Sequence, residues 1–193
     1  MRVEPLAIPD VMLLHPTVHG DERGFFLERF NQRTFEKATG LTRQFVQDNH
    51  SRSAQSVLRG LHYQIQQPQG KLVSVLQGEI LDVAVDIRPD SPTRGQWVSA
   101  ILSGDNFQQL WVPEGFAHGF LVLSQQADVL YKTTDYYAPE HERVIRWDDP
   151  ALGIDWMRSD WPWTGEPQLS EKDQRGTTLQ MAEPPIMDEG PTL

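Results

Sequence analysis

The stretch VLRGLHYQIQ at 57–66 carries Arg59, Gly60 and His62, three residues that a strand built only for packing does not need. An imidazole can take a proton near neutral pH, and a guanidinium can hold an anionic group. On an extended strand residues 58, 60, 62 and 64 share a face, so His62 neighbours Gly60 and Gln64 rather than Leu61. That face is polar or hollow. Arg59 points the other way on a regular strand and enters the same hollow only if Gly60 marks a bulge. A histidine hydrogen-bonded at a sheet surface would explain His62 equally well.

Other candidate side chains lie in comparable settings. Tyr131 in DVLYKTTDYY shares a face with Val129 and Thr133, as a core aromatic would, and its hydroxyl must find a partner. Gln47 and Asn49 in FVQDNH share a face, as do Lys71 and Val73. Arg23 follows the turn signal in GDERGFF, where a solvated loop charge would suffice. Asp173 stands three residues after Ser170 in LSEKD, the spacing of a helix capping box.

A metal centre is a further possibility. PEGFAH, with His118 opening a strand, matches half of the metal-binding signature of cupins. The other half needs two histidines one residue apart and a carboxylate soon after. The chain reads HYQIQQPQGK there, with Gln64 in place of the second histidine and no acid before Glu79. Two histidines do not supply the three or four converging ligands of a tight divalent site, so no metal is expected.

The elements that must position these residues are short strands. The chain has 193 residues, 38% of them hydrophobic and 23% charged, enough for one domain with a sizeable core. Its net charge of −10 opposes nucleic acid and anionic membrane, so neither is an expected partner. An anionic small molecule would need locally gathered basic residues. Runs such as VMLL and FLVL are too short to span a bilayer. The N-terminal segment, broken by Pro5 and Pro9, lacks an apolar signal core, and the cytoplasm is the expected location. No cysteine is present, which removes disulfides, thiolate metal sites and a cysteine nucleophile.

EILDVAVDIR alternates most clearly, with Leu81, Val83, Val85 and Ile87 on one face and Asp82, Ala84 and Asp86 on the other. Similar strands are expected at 44–49, 71–78, 96–102, 109–113, 118–123 and 127–134, separated by turn signals. A helix is expected over 31–40, capped by Asn31 and stopped by Gly40. The fold class is mainly β, an antiparallel jelly-roll barrel with a few short peripheral helices. One domain is expected over 1–180, with an acidic, proline-rich and mobile tail over 181–193.

The segments GDERGFFLERFNQRTF, FVQDNHSRS, VLRGLHYQ, GKLVSVLQGEILDVAVDIR, LWVPEGFAHGFLVL and YKTTDYYAPEHERVIRWDDP together resemble the dTDP-4-dehydrorhamnose 3,5-epimerase family, metal-free cupins of nucleotide-sugar biosynthesis. The likeness runs in order from about residue 10 to residue 175. It implies a jelly-roll homodimer that acts on a dTDP-linked 4-keto-6-deoxyhexose, inverting C3 and C5. By this resemblance His62 is the base, Asp173 orients it and Tyr131 is the acid. Arg59, Lys71 and His118 line the sugar end. Arg23, Glu28, Gln47 and Asn49 become nucleotide-side or intersubunit contacts, and Tyr137 and Glu142 sit at the outer part of the site. The sequence departs from the family at His19, where a phenylalanine usually lies near the nucleotide base.

These residue types suit the implied chemistry. A proton beside a ketone is too weakly acidic for histidine alone, so the enolate oxygen needs positioned donors, which Lys71, Arg59 and His118 offer. The ketone is already present in the substrate, so no cofactor is required. An enzyme epimerising one carbon, or a ketoisomerase, would share the fold and much of the pocket. More distant alternatives are a metal-dependent cupin oxygenase and a non-catalytic sugar-binding module.

Overall fold

The computed structural model describes residues 1–156 and 165–187. The chain begins with four short strands, β1 (Arg2–Pro5), β2 (Met12–His15), β3 (Val18–Asp21) and β4 (Gly24–Leu27). Helix α1 (Gln32–Thr39) follows, then β5 (Gln47–Ala54), β6 (Leu58–Gln64) and β7 (Lys71–Gln77). Next come β8 (Glu79–Asp86), β9 (Trp97–Ser103), β10 (Gln109–Val112), β11 (Phe116–Val122) and β12 (Gln126–Thr133). A 3-10 turn (Pro139–His141), the short strand β13 (Glu142–Val144) and helix α2 (Glu171–Gln174) complete the described elements. One sheet has the order β1-β2-β10-β7-β12-β5 and the other β13-β6-β11-β8-β9, with β3-β4 a separate hairpin. Their antiparallel faces pack as the expected jelly roll.

Apolar residues are buried in three layers. Val73, Val75, Ile80, Ala84, Leu110, Phe120 and Val129 fill the space between the sheets. Leu58, Leu61, Tyr63, Leu81, Val83 and Val85 pack on the outer face of the five-stranded sheet, under Leu152, Trp156, Leu169 and Leu179. Phe35 of α1 covers Leu14, Leu72 and Trp111 on the outer face of the six-stranded sheet. The apolar row of β8 therefore faces the C-terminal segments, and its row of Asp82, Ala84 and Asp86 faces inward.

Helix α1 has the expected caps: the Asn31 side chain accepts from the Thr34 N–H, and Gly40 closes the helix at φ 74°. The strand expected over 44–49 instead runs over Gln47–Ala54, because all eight residues pair with β12. The strands before residue 30 are four residues each, too short to show a period. The tail expected to be mobile is tied to the body as far as residue 187. Ile186 N–H donates to Ile65 O at 2.7 Å, and Tyr63 Oη donates to Glu183 O at 2.7 Å. The remainder of that tail, 188–193, and residues 157–164 lie outside the described residues. Among the described residues no helix is long and apolar enough to cross a membrane.

The feature that positions the site is a register shift. His118 pairs with His62 and Phe120 with Arg59, so the one residue of β11 between them, Gly119, opposes two of β6, Gly60 and Leu61. The extra residue lies at Gly60–Leu61. Leu58 and Leu61 consequently share the outer face, and Arg59 and His62 both turn inward. Gly60 has φ 118°, a conformation costly for any L side chain. A Cβ there would lie 2.6 Å from Gly119 Cα and 2.7 Å from His118 O. Gly60→Ala should lower unfolding stability by about 2 kcal/mol or more. Urea denaturation checks this, and an unchanged midpoint and slope would show that the bulge tolerates a side chain.

Candidate active site

A cavity of about 300 Å³ opens between the two sheets at the end marked by the bulge. The five-stranded sheet contributes Arg59 and His62 from β6 and His118 and Phe120 from β11. The six-stranded sheet contributes Gln47, Asn49 and Ser51 from β5, Lys71 from β7 and Tyr131 from β12. Tyr137, Glu142 and Lys172 add to the lining from loop, β13 and α2. Cross-strand register groups these residues: Tyr131 pairs with Asn49 and Thr133 with both Gln47 and Lys71.

His62 is held from behind. Its Nε2 lies 2.5 Å from Asp173 Oδ1, and Asp173 is only 3% exposed. Ser170 caps α2 by accepting from the Asp173 N–H at 3.1 Å, and its hydroxyl donates to Asp173 Oδ2 at 2.7 Å. The capping spacing and the orienting carboxylate are thus one structure. Burial pushes the Asp173 carboxyl up, but the His62 and Ser170 bonds and the Gly60 backbone N–H hold it below the ordinary carboxylate range. Burial pulls His62 below the ordinary imidazole value, and Asp173 opposes that fall. The imidazole is therefore neutral at neutral pH, with Nδ1 4.0 Å from Glu142 Oε1.

Burial also lowers Lys71, to about 8, against the attraction of Glu142 and Asp82. Tyr131 is raised by burial and by Glu142, partly offset by Arg59, so its phenol keeps its proton. Glu142 accepts from Lys172 Nζ at 2.8 Å and from Tyr137 Oη at 2.9 Å. Arg59 Nε donates to Ser53 Oγ at 2.9 Å, which fixes the guanidinium beside the bulge. The cavity therefore combines a neutral imidazole, a protonated phenol and several cations, in a chain of net charge −10. Such a set can remove a proton from carbon, stabilise an oxyanion and return a proton.

The structure gathers His62, Tyr131, Arg59, Lys71, His118, Gln47, Asn49, Tyr137 and Glu142 around this cavity, with Asp173 behind His62. It does not bring Arg23 or Glu28 there. Arg23 sits on the exposed β3–β4 hairpin, ion-paired with Asp21. Glu28 accepts from Asn31 Nδ2 at 3.1 Å and Thr34 Oγ1 at 3.3 Å beside α1. His19 is on the same hairpin, paired with Phe26.

Three participants were not legible as site residues in the sequence. Lys172 reads as a surface lysine on a short helix, Ser51 as a small polar strand residue, and Asp82 as part of the polar row of 79–88. The one available signal was adjacency, since Lys172 precedes Asp173 and Ser51 shares a face with Gln47 and Asn49. Gln64, at the missing second-histidine position, donates to the Gln67 and Tyr136 carbonyls and accepts from the Ala138 N–H. Among the described residues no group of three or more His, Cys, Asp or Glu side chains is arranged to hold a metal ion.

Comparison with known proteins gives the family. The profile of the dTDP-4-dehydrorhamnose 3,5-epimerase family matches residues 5–181. The Pseudomonas aeruginosa dTDP-4-dehydrorhamnose 3,5-epimerase is 60% identical over 183 residues, covering 95% of this chain and 98% of its own. The Salmonella typhimurium enzyme of that name is 55% identical, covering 94% and 97% respectively. The crystal structure of the Legionella pneumophila epimerase in complex with dTDP-4-keto-L-rhamnose superposes with a TM-score of 0.89 at 52% identity, covering 96% of this chain and 98% of that one.

The His62–Asp173 contact generates a direct expectation. Asp173→Asn removes the charge that favours the imidazolium, so the His62 pKa should fall further below the ordinary value. An NMR titration of the imidazole checks this, and a rise or no change would show that the carboxylate does not act on His62.

Proposed function

The chain belongs to the dTDP-4-dehydrorhamnose 3,5-epimerase family, and from that premise we propose how its residues carry the reaction. The enzyme is an isomerase that inverts C3 and C5 of a dTDP-linked 4-keto-6-deoxyhexose. His62 takes the proton from the carbon beside the ketone, and the C–H electron pair moves into an enolate. Lys71, with Arg59 and His118, stabilises the enolate oxygen. Tyr131 then donates its phenolic proton to the opposite face of the same carbon. Exchange with solvent discharges the imidazolium and reprotonates Tyr131, after which the second carbon follows the same course.

One observation carries this assignment: His62 and Tyr131 line one cavity from opposite sheets of the sandwich. Inversion requires removal from one face and delivery to the other, and a base and acid on facing walls satisfy that requirement. The raised Tyr131 pKa does not prevent donation, because an enolate carbon is far more basic than a phenolate. A neutral His62 and a protonated Lys71 coexist between the lowered imidazole value and about 8, which places both in their working forms at neutral pH.

The nucleotide end of the same proposal uses a second copy of the chain. Phe25 and Phe26 on the β3–β4 hairpin are 61% and 71% exposed, with Arg23 beside them. An exposed aromatic pair next to an arginine suits a base and diphosphate held at an intersubunit cavity, so Arg23 and Glu28 act across a homodimer. Gln47 and Asn49 meet the nucleotide from within the chain. His19 on this hairpin offers an imidazole for stacking.

Two measurements test these assignments. With dTDP-4-keto-6-deoxyglucose in D2O, NMR should show deuterium entering at both C3 and C5. His62→Ala should abolish that exchange while dTDP still binds, and Tyr131→Phe should keep substrate binding but impair the double inversion. Normal exchange in the first variant, or unaltered rate and stereochemistry in the second, would remove that residue from its role. Sedimentation velocity should give a dimer for the unmodified chain and dissociation for Phe26→Asp. A monomer with full activity would discard the intersubunit assignment of Arg23 and Glu28.

A further inference from the structure

The inward face of β8 carries a carboxylate that this reaction scheme leaves unused. Asp82 is 0% exposed, and its Oδ1 lies 2.5 Å from His118 Nε2. Its Oδ2 is buried and has no hydrogen-bond partner among the described residues. A buried carboxylate with one oxygen unmet weakens a fold, because lost hydration is only partly replaced. Neighbouring inward positions on the same strand hold Ile80 and Ala84, which pack in the interior cluster. An apolar side chain at 82 would continue that packing. The contrast between 82 and its neighbours points to a function rather than a structural role.

We propose that Asp82 is a positioning residue of the sugar end, orienting His118 by hydrogen bond and serving as the fixed counter-charge that keeps Lys71 cationic where the enolate oxygen forms. This rests on the epimerase reading and on Lys71 as the oxyanion partner. Lys71 faces Glu142, Asp82, Lys172, His62, Arg59, His118, Tyr131 and Tyr137. Its Nζ is 3.5 Å from the His62 carbonyl oxygen. Of the two carboxylates, Glu142 already accepts both a Lys172 ion pair and the Tyr137 hydroxyl. Asp82 retains an uncommitted oxygen. Burial brings Lys71 down to about 8, and the attraction of Glu142 and Asp82 keeps it from falling further.

The sign follows directly. A nearby carboxylate favours the ammonium, so neutralising Asp82 makes Lys71 lose its proton at lower pH. The basic limb of kcat/KM, where rate falls as Lys71 deprotonates, then moves down. Asp82→Asn keeps an oxygen for His118 and removes a buried charge, so its melting temperature should be no lower than that of the unmodified protein.

The experiment is a pH profile of epimerisation for the unmodified enzyme, Asp82→Asn, Lys71→Met and the double variant, with melting temperature and dTDP affinity measured in parallel. The unmodified enzyme should lose rate above about 8, and Asp82→Asn should do so about one pH unit lower. Lys71→Met should abolish that limb, and adding Asp82→Asn should move nothing further. An Asp82→Asn enzyme with an unmoved limb would overturn the proposal, as would one that melts lower or fails to fold. A limb that persists unchanged in Lys71→Met would show the fault to lie in the assignment of Lys71 itself.

Discussion

Side chains on a strand alternate between faces, and one inserted residue reverses that alternation for everything beyond it. The bulge at Gly60–Leu61 makes this reversal between Arg59 and His62. Without it, either the guanidinium or the imidazole would lie among Leu81, Val83 and Ile145 on the outer face, where a charge has no partner. With it, both enter the cavity while Leu58 and Leu61 both remain outside. The cost falls on the backbone, at a glycine with positive φ pressed against Gly119. The Gly60 N–H also helps to stabilise the Asp173 carboxylate, so the irregularity that turns His62 inward supports its partner as well.

A second constraint is how a small sandwich can hold so many polar groups in its interior. Much of the five-stranded sheet's apolar burial lies on its outer face, beneath Leu152, Trp156, Leu169 and Leu179. Strand β8 is buried on both faces for this reason. Hydrophobic burial on the outside leaves one end of the interior free for Asp82, His118, Lys71 and Tyr131. The two cores are therefore specialised, one for cohesion alone and one shared between cohesion and the cavity.

This specialisation explains what the sequence could and could not convey. Alternation in 79–88 revealed a strand, and the glycine between Arg59 and His62 revealed the need for a bulge. The face assignments were harder, because an apolar row and a polar row suggest inside and outside only when one face meets solvent. In β8 the polar row faces the interior, which hid Asp82. Asp173 was legible through Ser170 because a local cap and a long-range contact use the same side chain. Lys172 has no such local signature, and its role depends on where α2 meets β13. Arg23 and Glu28 matched family motifs, but one chain alone keeps them away from the cavity.

The two carboxylate–imidazole pairs share a bond length yet cannot serve the same purpose. His62 and His118 oppose each other across β6 and β11, and each places Nε2 2.5 Å from an aspartate oxygen. The His62 side chain is 25% exposed, whereas that of His118 is 8% exposed. A proposed base must meet the substrate and afterwards release its proton, which requires such access. Asp173 is suited to that cycle, since Ser170 meets its second oxygen whichever form His62 adopts. Asp82 has no equivalent support for its second oxygen, and its charge remains available to the cations around it. In the proposed scheme the same pair of side chains thus gives a proton-transfer group where the carboxylate is fully hydrogen-bonded, and a fixed electrostatic anchor where it is not.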